Sequence, residues 1–154
     1  VTLKTAILGV GNILMKDDGV GVHVARALRD VRLPNDVVLI DAGTDPDVAY
    51  DVDHADRIIV IDAVHGDGPP GTIYRLPGMS GNASASGERM CHDIGLLQTL
   101  RIARSFEREI LVIGVEPKEI ECGLDLSSEV AARVPRVIEL IRQEIEETAG
   151  RPEC

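Results

Sequence analysis

Residues 4–28, KTAILGVGNILMKDDGVGVHVARAL, decide the fold. Residues 4–10 are an apolar run of strand length that ends among glycines. From Asp18 onward Val20, Val24 and Leu28 recur at the spacing of one helix face. The stretch therefore reads strand, glycine loop, helix, which is the opening unit of an α/β domain.

Working outward, residues 36–42 (DVVLIDA) predict a second strand, residues 46–55 a short helix, and residues 57–64 (RIIVIDAV) the most apolar strand of the chain. This alternation implies crossover connections and a mostly parallel sheet. Residues 71–76 (GTIYRL) follow the turn-rich GDGPPG too closely for a helical crossover, so they are expected to run antiparallel at a sheet edge. Residues 78–89 (GMSGNASASGER) read as a loop, and residues 92–104 resume helical spacing through Leu96, Leu100 and Ala103. Residues 109–115 are the last strand. The amphipathic pattern over 127–147 predicts a helix that Pro135, which has no backbone N–H, bends or divides. One domain over residues 1–150 with a tail at 151–154 accounts for the chain.

The bulk numbers narrow the function. A net charge of −10 and the lack of any dense Lys/Arg cluster argue against nucleic acid. No apolar run has the length of a membrane helix, and residues 1–5 lack the pattern of a signal peptide, so a soluble, cytoplasmic protein is expected. Cys91, Cys122 and Cys154 stand too far apart for a metal knuckle or redox pair. With aromatic residues at only 2%, the core must be built from Val, Ile, Leu and Ala, as in a sheet covered by helices.

Gly9-Val10-Gly11 after a strand invites comparison with the dinucleotide fingerprint, but its third glycine is replaced by Leu14. Asp17 and Asp18 moreover place negative charge where phosphate would bind. Asp41, at the end of the second strand, could imitate a ribose-binding acid, which keeps a nucleotide binder as an alternative.

Three polar residues map to the edge where the strand C-termini open: Asp18 after the first strand, Asp62 within RIIVIDAV, and His92 at the start of the late helix. Two carboxylates and an imidazole are a mixed oxygen and nitrogen set able to hold nickel or zinc with positions left for substrate. Each also has a purely structural reading. Asp18, or Asp17 beside it, would serve as a helix N-cap. A lone histidine on a face with Leu96 and Leu100 is commonly a packing residue. Asp62 is the hardest to explain structurally, because an acid among Ile and Val costs several kcal/mol unless a partner compensates. Cys91 adjoins His92 in sequence, but helix neighbours point apart, so Cys91 reads as structural; His23, His54 and His65 read as solvated.

Residues 9–24 (GVGNILMKDDGVGVHV), 41–44 (DAGT), 57–63 (RIIVIDA) and 92–97 (HDIGLL) together resemble the hydrogenase maturation peptidases. The resemblance implies a three-layer α/β/α sandwich around a five-stranded, mostly parallel twisted sheet with one antiparallel edge strand. It also implies an endopeptidase that removes the C-terminal extension of a nickel-loaded hydrogenase large-subunit precursor. In that family two carboxylates and a histidine contact nickel carried by the substrate, with zinc or cadmium as possible substitutes. The matching positions are Asp18, Asp62 and His92, as both metal contacts and catalytic residues. Asp18 stands where relatives often have glutamate, a shorter arm that alters the reach toward metal. A monomer is expected, and a metal-binding maturation factor that does not cut remains compatible with the same three residues.

Overall fold

Central strands of an α/β sheet are covered on both faces, and β1 (Thr5–Val10), apolar but for Thr5, is buried at every position. The computed structural model describes residues 4–45, 47, 48, 52–77 and 109–150. Strands β2 (Val37–Gly43), β3 (Arg57–Ala63), β4 (Ile73–Leu76) and β5 (Glu109–Val115) join β1 in one sheet of order β2-β1-β3-β5-β4. β1 lies parallel to β2 and β3, and β3 parallel to β5; β4 runs antiparallel to β5 at the edge. The expected mixed sheet is thus the observed one. The expected helices over 46–55 and 92–104 fall partly and wholly outside the described residues.

Successive strand residues face opposite sides, and the core divides accordingly. On one face Ile7, Ile59, Ile61, Leu111 and Ile113 pack with Val20, Val24 and Leu28 of helix α1 (Val20–Leu28). Val137 and Ile141, of the last helix, complete this layer. On the other face Ala6, Leu8, Ile58, Val60, Ile110 and Val112 meet Val48 and Val52. Each fully sealed Val, Leu or Ile contributes about 1.5–3 kcal/mol, so the sheet is held chiefly by aliphatic burial.

The helical pattern over 127–147 is divided as Pro135 requires: α2 (Ser128–Ala131) ends before α3 (Val134–Ala149), with Pro135 in the first turn of α3. There its missing N–H leaves no intrahelical bond unmade. Helix α1 begins later than its pattern suggests, because residues Lys16–Gly19 form a 3-10 turn. Its N-cap is Gly19 with no side-chain cap, so neither Asp17 nor Asp18 caps it.

The glycines of the opening motif bring this helix onto the sheet. A Cβ at Gly21 would lie 2.0 Å from the Ile61 carbonyl oxygen and 2.4 Å from that of Val10. A Cβ at Gly9 would lie 2.3 Å from the Gly21 carbonyl oxygen. Helix and strand backbones are in direct contact here. Gly21→Ala is expected to lower stability by about 1–3 kcal/mol through overpacking. A urea midpoint equal to wild type would refute that contact.

At the N-terminal end of the sheet, the buried Arg57 joins β3 to α3. It donates to the Glu144 carboxylate at 2.7 Å, the Glu144 carbonyl at 3.0 Å and the Thr148 hydroxyl at 2.6 Å. Arg75 of β4 bonds the other Glu144 oxygen, and Arg75, ahead of Arg57, holds that carboxyl below its ordinary range despite burial. This clamp leaves the opposite, C-terminal edge of the strands free for other uses.

Candidate active site

From β1 the chain crosses to β2 on one side, while β3 lies on the other side of β1 and leads toward β5 and β4. Loops after β1 and β3 therefore diverge, and a crevice opens at the carboxyl ends of these two strands. Gly11 sits at its base with φ of 123°, a left-handed value that glycine adopts without strain. A Cβ there would fall 1.9 Å from the Asp18 carbonyl oxygen and 3.6 Å from Asp62 Oδ1. The Asp18 backbone and the Asp62 carboxylate thus close around the same glycine.

The Asp18 carboxylate is held beside them: its Oδ2 accepts the Asn12 N–H at 2.9 Å. Asn12 in turn accepts the Leu14 N–H through its side-chain oxygen at 3.0 Å, fixing the loop. Asp62, only 3% exposed, lies on β3 opposite Gly114 of β5, and its Oδ1 accepts the Ala63 N–H at 2.8 Å. Both predicted carboxylates therefore flank the Gly11–Asn12 segment. His92 and Cys91 lie outside the described residues. Among the described residues no cluster of three His, Cys, Asp or Glu side chains forms a metal site.

The two neighbouring acids have separate tasks. Asp17 is fully buried, and its carboxylate accepts the amides of Lys118 (2.9 Å), Glu119 (2.8 Å) and Ser127 (2.7 Å) and the Ser127 hydroxyl (2.7 Å). Burial pushes its pKa up, but these hydrogen bonds outweigh burial and hold it below the ordinary carboxylate value. Asp17 thereby fastens the loop after β5 to the loop after β1. Lys16 adds bonds to Glu119 and Glu121 at 2.8 and 2.9 Å, which hold its ammonium above its usual range.

Asp41 is engaged elsewhere. Its Oδ2 accepts a hydrogen bond from Arg26 Nε at 3.1 Å and lies 3.5 Å from Arg29 Nη2, tying β2 to α1. Of the histidines read as solvated, His54 and His65 are exposed. His23 departs from that reading: it is half-buried, and its Nε2 is sealed from water without a hydrogen-bond partner among the described residues.

One buried acid at this edge escaped the reading of the sequence. Glu116, directly after β5, accepts the Gly66 N–H at 2.7 Å, and the Tyr74 hydroxyl lies 3.4 Å from the same oxygen. It joins the loop following Asp62 to the end of β5. Its signal was the one that marked Asp62, an acid at the end of an aliphatic strand.

Comparison with known proteins places this geometry in context. The HycI pattern, described as hydrogenase maturation protease, matches residues 22–144. Coenzyme F420 hydrogenase subunit delta of Methanothermobacter thermautotrophicus is 35% identical over 149 residues, covering 90% of this chain and 92% of its own. Hydrogenase 2 maturation protease of Escherichia coli is 30% identical over 152 residues, covering 95% and 93%. Among solved structures, the hydrogenase maturating endopeptidase HybD from E. coli superposes with a TM-score of 0.79 at 27% identity, over 95% of this chain and 94% of its own. The [NiFe] hydrogenase maturation protease HybD from Thermococcus kodakarensis gives 0.77 at 28% identity, over 93% and 99%.

Proposed function

Because this chain belongs to the hydrogenase maturation protease family, we propose that it is the endopeptidase that removes the C-terminal extension of a nickel-loaded hydrogenase large-subunit precursor. The observation that carries this reading is the pair of carboxylates, Asp18 and Asp62, flanking Gly11–Asn12 where the strand order reverses. His92 is the third member of the set by its match to the family motif.

Nickel in this reaction belongs to the substrate. Held by the precursor's own cysteines, it docks against Asp18, Asp62 and His92, whose oxygen and nitrogen donors suit a divalent transition metal. Docking brings the scissile bond beside the sheet edge, and positioning of that kind contributes strongly to rate. Water adds hydroxyl to the peptide carbonyl and a proton to the departing amine, with the buried Asp62 as the acceptor of the water proton. A precursor without nickel lacks the docking ligand and is left uncut. Zinc or cadmium, with similar ligand preferences, would substitute in docking.

The nucleotide alternative is disfavoured because Asp41, its ribose-binding candidate, is engaged by Arg26 and Arg29, and the Asp18 carboxylate occupies the loop where a phosphate would bind. No helix among the described residues is long and apolar enough to cross a membrane.

The test is the intact mass of precursor, nickel-loaded and nickel-free, after incubation with the wild-type protein. Loss of one discrete C-terminal peptide from the loaded form alone is expected. Equal cleavage of both forms would remove nickel from the recognition step. An unchanged loaded precursor would overturn the endopeptidase reading.

A further inference from the structure

Among the described residues four large apolar side chains are exposed, and three of them, Leu14 (60%), Ile120 (36%) and Leu124 (61%), sit on two loops bonded to each other. The Lys16 N–H meets the Gly123 carbonyl and the Gly123 N–H meets the Leu14 carbonyl, each at 2.9 Å; the Asp17 N–H reaches the Glu119 carbonyl at 3.1 Å. The buried Asp17 carboxylate fastens the same two loops from beneath. The apolar side chains are therefore displayed on a braced platform, which loses little freedom when a partner binds.

The rim of this platform is acidic. Glu119 and Glu121 share the single ammonium of Lys16, and Asp125 is exposed beside Leu124. The chain as a whole carries −10. An apolar centre with a charged rim is the anatomy of a protein-docking surface, and the sign of the rim selects a basic partner. Position selects which partner: the Leu14 loop is the one whose Asn12 amide is held by Asp18, so whatever rests on Leu14 borders the crevice.

We propose that Leu14, Ile120 and Leu124 form the docking platform for the large-subunit precursor, taking an apolar segment flanked by Lys or Arg. This inference rests on the function proposed above. It adds a contact independent of nickel, which holds the precursor while the metal centre and scissile bond settle at Asp18 and Asp62.

The experiment measures the KM for nickel-loaded precursor with wild type, with the Leu14→Asp/Leu124→Asp double variant, and with Asp125→Lys, each checked for an unchanged urea midpoint. The double variant is expected to raise KM at least tenfold. Asp125→Lys tests the rim without touching the apolar centre and should raise KM severalfold, with a smaller salt dependence than wild type. Normal processing by wild type with KM unchanged in both variants would overturn the platform and leave the endopeptidase reading standing. Failure of wild type to process the loaded precursor would overturn that reading and the platform with it. Sedimentation covers the remaining occupant: a dimer that the double variant dissociates with no change in KM would assign the surface to a second copy of this chain, against the proposal.

Discussion

Asp62→Asn is expected to slow processing of the nickel-loaded precursor by about 100- to 10,000-fold, the range over which a positioned acid–base group acts. The substitution removes the charge and the basicity while keeping the shape. Its amide oxygen can still accept the Ala63 N–H that Asp62 Oδ1 accepts at 2.8 Å. A neutral amide is also cheaper to bury among Ile and Val than a carboxylate, so the urea midpoint should not fall. Asp41→Asn is the comparison to run beside it. That carboxylate is engaged by Arg26 and Arg29 in partly exposed ion pairs, which contribute about 0–1 kcal/mol, so processing should change only a few fold. Single-turnover processing followed by intact mass separates the two cases. An Asp62→Asn protein that cuts at the wild-type rate would remove Asp62 from the mechanism.

Asp62 could be read from the sequence because its surroundings are local: an acid inside RIIVIDAV declares a burial cost wherever the strand is placed. The strands were legible for the same reason. β5 was expected over residues 109–115 and spans Glu109–Val115, and the divided C-terminal helix follows from the missing N–H of Pro135. The glycine loop was half legible. Its mismatch to a phosphate site could be seen, but the backbone contacts that require Gly9 and Gly21 depend on how α1 crosses β1 and β3.

What the sequence could not resolve was the division of labour between Asp17 and Asp18. The two acids are adjacent, and each suited a helix cap; in the fold neither caps α1. They are distinguished by residues about a hundred positions away, in the loop after β5, which has no periodic signature to announce where it returns. Arg57 shows the same limit. It stands at the head of the most apolar strand with no local signal of its role, because its partners Glu144 and Thr148 lie on the last helix. Glu116 carried the same local signal as Asp62, an acid closing an aliphatic strand, and became interpretable only when Gly66 and Tyr74 were brought against it.

The separation of the acids makes Asp17→Ala the most destabilising change expected at this edge, at about 3–5 kcal/mol. Alanine leaves three amides and one hydroxyl facing a site with no acceptor, and the loop after β5 loses its fastening to the loop carrying Asp18. A loss of that size is a large fraction of the stability of a domain, so the variant should unfold at a much lower urea concentration. The effect must also depend on pH with a definite sign. Hydrogen bonding lowers the folded pKa of Asp17 below its unfolded value, so its contribution is fully present above the unfolded pKa of about 4. It is lost as pH falls through the folded pKa, when the carboxylate takes up a proton in both states. The difference in stability between wild type and Asp17→Ala is therefore expected to be largest near neutral pH and to shrink below about pH 4. Urea titrations at pH 7 and pH 3 measure it. A difference that stayed constant between the two would mean that the Asp17 charge adds nothing to the clamp beyond what its protonated side chain supplies.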